Sequence, residues 1–207
     1  MINLPLITFI NGAPQCGKST LMRLLQKNVA AWGICPMSFK SPAQRALIST
    51  HYARVSEYGL INLEDISVRK KAIDSTGITH EEWIDSFIRW MKQRVGAGAL
   101  GDILRREILD LKDSWRFFLL DDLWTEDDAR PIAQAFGREN CLIIHLRRHG
   151  CTWAGGLGDD VMGLHLARHI GIDNNGKPED MLDRLEQILG TLKDPAHSIE
   201  GFEKPLR

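Results

Sequence analysis

A chain of 207 residues, 43% of them hydrophobic, is long enough for one α/β domain with a substantial core and a small insertion. Its 26 lysines and arginines against 27 aspartates and glutamates leave a formal charge of −1, which excludes a global field for wrapping a polyanion, so any nucleic-acid contact would be local. No basic segment followed by a long apolar run opens the chain, no stretch approaches the roughly 18 apolar residues that span a bilayer, and the four cysteines lack disulfide-framework spacing; a soluble cytoplasmic protein with reduced thiols and no membrane partner is expected.

The first predicted element is a short apolar strand over residues 4–10, of the kind buried on both faces. It runs into Gly12-Ala13-Pro14-Gln15-Cys16-Gly17-Lys18-Ser19-Thr20, which fills every fixed position of G-x-x-x-x-G-K-[ST]. A glycine-bearing loop between a strand and a helix turns successive backbone N–H groups inward and so makes a nest for phosphate oxygens. Lys18 is expected to reach the β- and γ-phosphates of ATP and Ser19 to offer its hydroxyl to Mg²⁺. Behind the loop, Leu21, Leu24, Leu25, Asn28 and Val29 fall on one helical face, and Gly33 stands where a left-handed cap is expected.

A second strand is predicted over 34–39, followed by a helix over 43–50. In open α/β sheets ligands bind outside the C-terminal ends of the strands, so Lys40 and Arg45 are placed to meet an anionic acceptor. Residues 66–72 fit a helix and 75–77 a turn. Thr79 and Glu82 make a capping box before a helix whose apolar stripe is read as Trp83, Phe87, Trp90 and Met91. The glycine-rich run 96–101 breaks that helix, as a turn or as a hinge, before another predicted over 102–112.

The third strand, predicted over 116–120, ends in Asp121-Asp122. An apolar strand that ends in an acid at the sheet's C-terminal edge puts a carboxylate beside Mg²⁺ and the γ-phosphate, and Asp121 takes that role. Thr125 is expected to cap the next helix with Asp128 at N3, and Ala129, Ile132, Ala133 and Phe136 to face inward until Gly137. A fourth strand over 141–146 leads into Arg147 and Arg148, whose planar guanidinium groups suit phosphate oxygens and stay charged. The glycine-heavy segment that follows, to residue 163, suits a lid that closes over ATP and excludes water. A zinc site from Cys141, Cys151, His165 and His169 is rejected, because the cysteines are too far apart and Cys141 belongs to a buried strand. A fifth strand over 170–173, a turn at Asn174-Asn175-Gly176 and a helix entered near Pro178 complete the pattern, with Met181, Leu182, Leu185, Ile188, Leu189 and Leu192 as its buried face. The tail from Lys193 is polar and expected to be loosely held.

Five strands with crossovers, a phosphate loop after the first and an arginine-led lid after the fourth predict a P-loop NTPase fold. It is a three-layer α/β architecture with a five-stranded parallel sheet, like that of nucleoside monophosphate kinases. It is read as one domain over 1–207, with a helical acceptor-side insertion at about 51–112 and a lid at about 148–163. The blocks GAPQCGKST, FKSPAQRAL, FLLDDLWTEDDARPI, IIHLRRHG and IDNNGKPEDML together resemble the deoxynucleoside monophosphate kinases of tailed bacteriophages. The resemblance fades between about residues 51 and 95, and only the phosphate loop is a specific motif. It implies that Lys18 and its loop bind ATP with Mg²⁺ held at Ser19 and Asp121, that Lys40, Arg45 and Asp122 lie near a nucleotide acceptor, and that Arg147 and Arg148 serve the transferred phosphate. It also implies action in the cytoplasm of an infected bacterial host, and it leaves a homodimer open. Two departures stand out: phage kinases of this group commonly read GKDT where this chain has GKST, and carry an arginine soon after the central acid where this chain has Leu123-Trp124. A related phage group phosphorylates the hydroxymethyl group of 5-hydroxymethyluracil in DNA and is the second reading. A nucleotide switch or P-loop binding module is the third, set back because no N-K-x-D guanine-reading motif is present.

Overall fold

The computed structural model describes residues 5–26, 33–52, 66–73, 77–123, 125–152, 165 and 167–193. Its centre is a sheet of β1 (Leu6–Gly12), β2 (Ile34–Ser38), β3 (Phe117–Asp121), β4 (Cys141–Arg147) and β5 (Arg168–Asp173) in the order β2-β3-β1-β4-β5. Every neighbouring pair is parallel. Parallel strands need crossovers, and these supply helices to both faces, which is why β3 and β4 read as near-continuous apolar runs.

One face carries α1 (Lys18–Gln26) and α7 (Pro178–Lys193), packed on Ile10, Leu119, Leu142, Ile144 and Ile172. The other carries α2 (Ser41–Leu47), the short α3 (Ile66–Arg69), α4 (His80–Arg94), α5 (Ala99–Leu111) and α6 (Glu126–Phe136), packed on Ile7, Phe9, Phe118, Leu120 and Ile143. The result is a three-layer P-loop α/β fold with a five-stranded parallel sheet. Phe9 and Phe118 are wholly buried. Among the described residues no helix is long and apolar enough to cross a membrane.

The predicted boundaries shift by one to three residues: β1 runs two residues further into the loop, β5 starts two earlier, and α5 starts three earlier. The helix expected over 43–50 starts at Ser41 and gives way at Ile48 to a π-helical turn, Ile48–Tyr52, where Ser49 and Thr50 hydroxyls donate back to the Ala46 carbonyl. The helix expected over 66–72 is one turn only. Of the turn expected over 75–77, only Gly77 lies within the described residues, and Asn28 and Val29 lie outside them, as do most of the lid, 153–164, and the tail beyond Lys193. The side chains of Leu189 and Leu192 are likewise outside the description.

The capping box of α4 forms as expected, but its buried stripe is His80, Ile84 and Ile88. Trp83 and Phe87 stack beside that stripe, centroids 5.3 Å apart, while Trp90 is 52% exposed. The four-residue rows through Trp83 and through Ile84 lie next to each other on the helix, and the slimmer aliphatic row is the one that fits against α2 and α5. The 96–101 run is a helix–helix turn, and it does more than break a helix. A Cβ on Gly101 would overlap the backbone carbonyl of Asp128, so glycine there lets α5 lie directly against the first turn of α6.

Candidate active site

The phosphate loop follows β1 and opens α1 in the order the motif requires. A Cβ on Gly12 would lie 2.5 Å from Cys16 Sγ and 2.7 Å from the Leu146 carbonyl, and Gly17, at φ 109°, lies against the side-chain amide of Asn174. Both glycines are therefore required by close approach. Gln15 carries the bend at φ 66°, an unusual setting for a side-chain-bearing residue. Lys18 Nζ donates to the carbonyls of Gly12 at 2.5 Å and Ala13 at 3.1 Å, which keeps its charge over the loop. Pro14, Gln15 and Ser19 are exposed, Ala13 and Cys16 buried, and Gly17, Lys18 and Thr20 half-buried. Burial pushes the Cys16 thiol up against the opposing pull of Lys18, so this sulfur stays a protonated packing group.

The loop is braced from two sides. Asn174, at the end of β5, donates its side-chain amide to the Cys16 carbonyl at 2.7 Å and its backbone N–H to the Arg147 carbonyl at 2.7 Å. Its neighbour Asn175 accepts from the His149 backbone at 2.7 Å, so one turn ties together the phosphate loop and the arginine-bearing end of β4. From below, the buried Asn11 side chain accepts from the Gly12 N–H at 2.8 Å, and its amide meets His145 Nδ1 at 3.4 Å. His145 Nε2 in turn meets His169 Nδ1 at 2.9 Å, the two rings stacked 5.2 Å apart. Because Asn11 must accept from Gly12, its NH₂ donates to His145, and the series fixes a neutral His145 with its proton on Nε2. Burial, then His169 and Arg147, lower the His145 pKa to about 4, in agreement with that assignment.

The two acids that end β3 go different ways. Strand alternation puts Asp121 on the face of Phe117 and Leu119, the face of the sheet that carries α1. Asp122 leaves the strand at φ 55°. Its Oδ2 lies 3.4 Å from Ser38 Oγ and 3.7 Å from Lys40 Nζ. Lys40 and Asp122 line a small pocket with Phe39, Ile88, Leu100 and Asp128 at the C-terminal edge of the sheet. Arg45 is not among its walls; it pairs with Glu107 of α5 on the outer surface. Arg147 and Arg148 are exposed at the end of β4, and the Arg147 guanidinium lies over Gly171 of β5.

Thr125 occupies the N-cap of α6 without a side-chain cap bond. Its hydroxyl donates instead to Asp128 Oδ2 at 2.8 Å, because that oxygen is already anchored by Lys92 Nζ at 2.6 Å, and a buried ion pair outcompetes a backbone amide for the carboxylate.

Sequence reasoning missed Asn11, Asn174 and Asp128 as site residues. Asparagine is depleted in strands, so Asn11 inside an apolar run just before the glycine was a usable signal. Asn174 looked like an ordinary turn residue, and Asp128 like a helix-capping one.

No family model matches this sequence, and no curated protein matches it. Among solved structures it is similar to a thymidylate kinase from Candida albicans, with TM-score 0.44 and 12% identity over 92% of this chain and 93% of that one. It is also similar to a plasmid partition protein from Borrelia burgdorferi, with TM-score 0.44 and 14% identity over 91% and 86% of the two chains. A shikimate kinase from Bacteroides thetaiotaomicron gives 0.39 and 10% over 89% and 98%.

Proposed function

We propose that this chain is an ATP-dependent phosphotransferase acting on a nucleotide-type acceptor, a free deoxynucleoside monophosphate. The observation that carries the reading is the divergence of two adjacent aspartates. Asp121 faces the α1 layer while Asp122, with Lys40, lines a second, small pocket at the same strand end, an arrangement that suits a phosphate donor and an acceptor held side by side. A hydrolysing switch has no need of the second pocket.

The loop fits ATP: it has a glycine-lined cradle that a Cβ would fill, a lysine at its mouth and a helix N-terminus behind it. The exposed Ser19 hydroxyl and the Asp121 carboxylate are hard oxygen donors of the kind Mg²⁺ takes, and they would hold it. Bound there, the ion would neutralise charge on the phosphates. Transfer breaks the bond between the γ-phosphorus and the bridging oxygen and forms one to an acceptor phosphate oxygen. That oxygen is already anionic, so the step needs positioning and cations and no general base. Lys18 supplies charge at the donor, Lys40 at the acceptor, and Arg147 and Arg148 are assigned to the group in transit. Arg45, held by Glu107, is assigned no contact.

The test offers ATP labelled at the γ-phosphate, with Mg²⁺, to the four deoxynucleoside monophosphates and in parallel to DNA with and without 5-hydroxymethyluracil. Label in a monophosphate is expected. Label in the modified DNA and in no monophosphate overturns the assignment in favour of a DNA kinase.

A further inference from the structure

Three polar side chains, Asn11, His145 and His169, sit on a face of the sheet that is otherwise apolar. Asn11 is the cross-strand neighbour of His145, and His169 is that of Ile143. Side chains alternate along a strand, so all three lie on the face built from Ile7, Phe9 and Ile143. Asn11 is 2% and His145 6% exposed, and polar groups this deep are costly unless paired. They are paired in one series that ends on the phosphate loop. His145 Nε2 donates to His169 Nδ1 at 2.9 Å, the Asn11 amide donates to His145 Nδ1 at 3.4 Å, and Asn11 Oδ1 accepts from the Gly12 N–H at 2.8 Å.

The direction of that series matters. Turned over, the Asn11 amide would present its NH₂ to the Gly12 N–H, and two donors would face each other. An acceptor at His145 Nδ1 keeps it the right way round. That nitrogen accepts only while the ring proton is on Nε2, where His169 receives it. Gly12 has no side chain to restrict its backbone, and its carbonyl is one that Lys18 donates to, so the Asn11 oxygen fixes the first peptide plane of the loop.

Resting on the ATP site of the reading above, we infer that His145 is a positioning residue for ATP: through Nδ1 it holds Asn11 in the orientation that fixes the Gly12 N–H, and His169 supports it by holding its tautomer. His145 acts on the nucleotide only through Asn11 and the loop. The role belongs to Nδ1, and substitution separates the two ring nitrogens, because asparagine places an amide oxygen near the position of Nδ1 and glutamine places one near that of Nε2.

The experiment uses the full chain. A non-hydrolysable ATP analogue with Mg²⁺ is titrated without any acceptor, beside denaturant melts of the same proteins. His145→Gln keeps most of the ring's volume and a partner for His169 but leaves the Asn11 amide without its acceptor. His145→Asn keeps that acceptor and loses more volume. His145→Asn should therefore be the less stable protein and the tighter binder, within about twofold of the wild type against a loss of roughly three- to tenfold in His145→Gln, which is what one hydrogen bond is worth. A residue that only fills space would put affinity and stability in the same order, and that result, or equal affinity in the two variants, overturns the inference. His169 is half-buried on the edge strand and gives a second route should substitution in the centre of the sheet prevent folding. His169→Leu lets the His145 proton move to Nδ1 and should weaken binding by the same factor, whereas His169→Asn, which keeps an acceptor near the position of Nδ1, should not. Equal affinity in that pair also overturns the inference, while leaving the ATP site standing. A wild type that binds no analogue overturns the ATP site and the inference together.

Discussion

The side-chain amide of Asn174 reaches the carbonyl of Cys16 at 2.7 Å across 158 positions of sequence, so the end of β5 sets the shape of the loop that follows β1. A phosphate nest works through the orientation of its N–H groups, and each peptide plane that carries an N–H carries a C=O as well. Pinning the Cys16 carbonyl therefore orients the Gly17 N–H. Asn174→Ala is expected to weaken ATP binding several-fold and to lower stability by about 1–3 kcal/mol, the usual cost of stranding a buried carbonyl. Titration with an ATP analogue and thermal melts check both numbers, and an unchanged affinity would refute the bracing role.

Gly17→Ala acts on the same contact from the other side. Its Cβ would run into the Asn174 amide at a backbone φ of 109°. The expected outcome is loss of ATP binding by at least tenfold with the fold retained, since the strain is confined to the loop and roughly 1–3 kcal/mol is what such a residue costs. Far-ultraviolet circular dichroism beside the titration separates loop damage from unfolding.

His145 predicts an acid limb in the stability profile. Its ordinary pKa of 6.5 falls to about 4 in the folded chain, burial being the main cause. Between those values the unfolded chain binds a proton that the folded chain refuses, so stability is intact above pH 6.5 and falls as pH drops towards 4. The loss is on the order of 3 kcal/mol over that window. Denaturant melts across pH 4–7 should show this slope in the wild type and a shallower one in His145→Gln. Equal slopes would mean that other groups dominate the acid response.

Much of this arrangement was legible in the chain and some was not. The loop, the acid-ended third strand and the arginines after the fourth announce themselves locally, because each is a short motif whose residues must be adjacent to work. The sheet was legible for the same reason: parallel strands buried on both faces are unbroken apolar runs. Arg45 shows the limit. It follows β2 as an acceptor contact should, yet its partner Glu107 comes from a helix 62 residues on, and no local pattern shows which way a long side chain will turn. Asp128 failed in the opposite direction. Thr125 and Asp128 have capping-box spacing, but Lys92 competes for the same carboxylate, and only the packing of α4 beside α6 reveals the competitor. The aromatic stripe of α4 erred by one row, since periodicity gives the apolar sector of a helix and leaves to shape which row inside it is innermost.

Lys18→Ala should abolish phosphate transfer while the protein stays folded, because its charge sits over the loop, where its ammonium donates to the carbonyls of Gly12 and Ala13 of that same loop. In the wild type, ATP consumption should depend on acceptor. Measured as ADP release, turnover with a suitable monophosphate should exceed the basal rate by at least tenfold; a rate indifferent to every acceptor would favour a nucleotide switch.

The adjacent acids should separate cleanly by kinetics. Asp122 sits at φ 55°, a setting that asparagine accepts as readily as aspartate, so Asp122→Asn removes charge without adding backbone strain. With Lys40 left without its 3.7 Å counter-ion in the pocket, the acceptor KM should change while the KM for ATP does not. Asp121, on the α1 face, should behave as a metal ligand: Asp121→Asn lowers kcat, and raising Mg²⁺ recovers part of the loss. A general base would behave differently, costing roughly 10²–10⁴-fold at any Mg²⁺ concentration, because added metal cannot replace a proton acceptor. A monophosphate acceptor needs no base and a hydroxymethyl acceptor is helped by one. The Mg²⁺ dependence of the Asp121→Asn variant therefore tests the acceptor as well as the residue: partial rescue supports the monophosphate, and a loss that metal leaves untouched points to an alcohol in DNA.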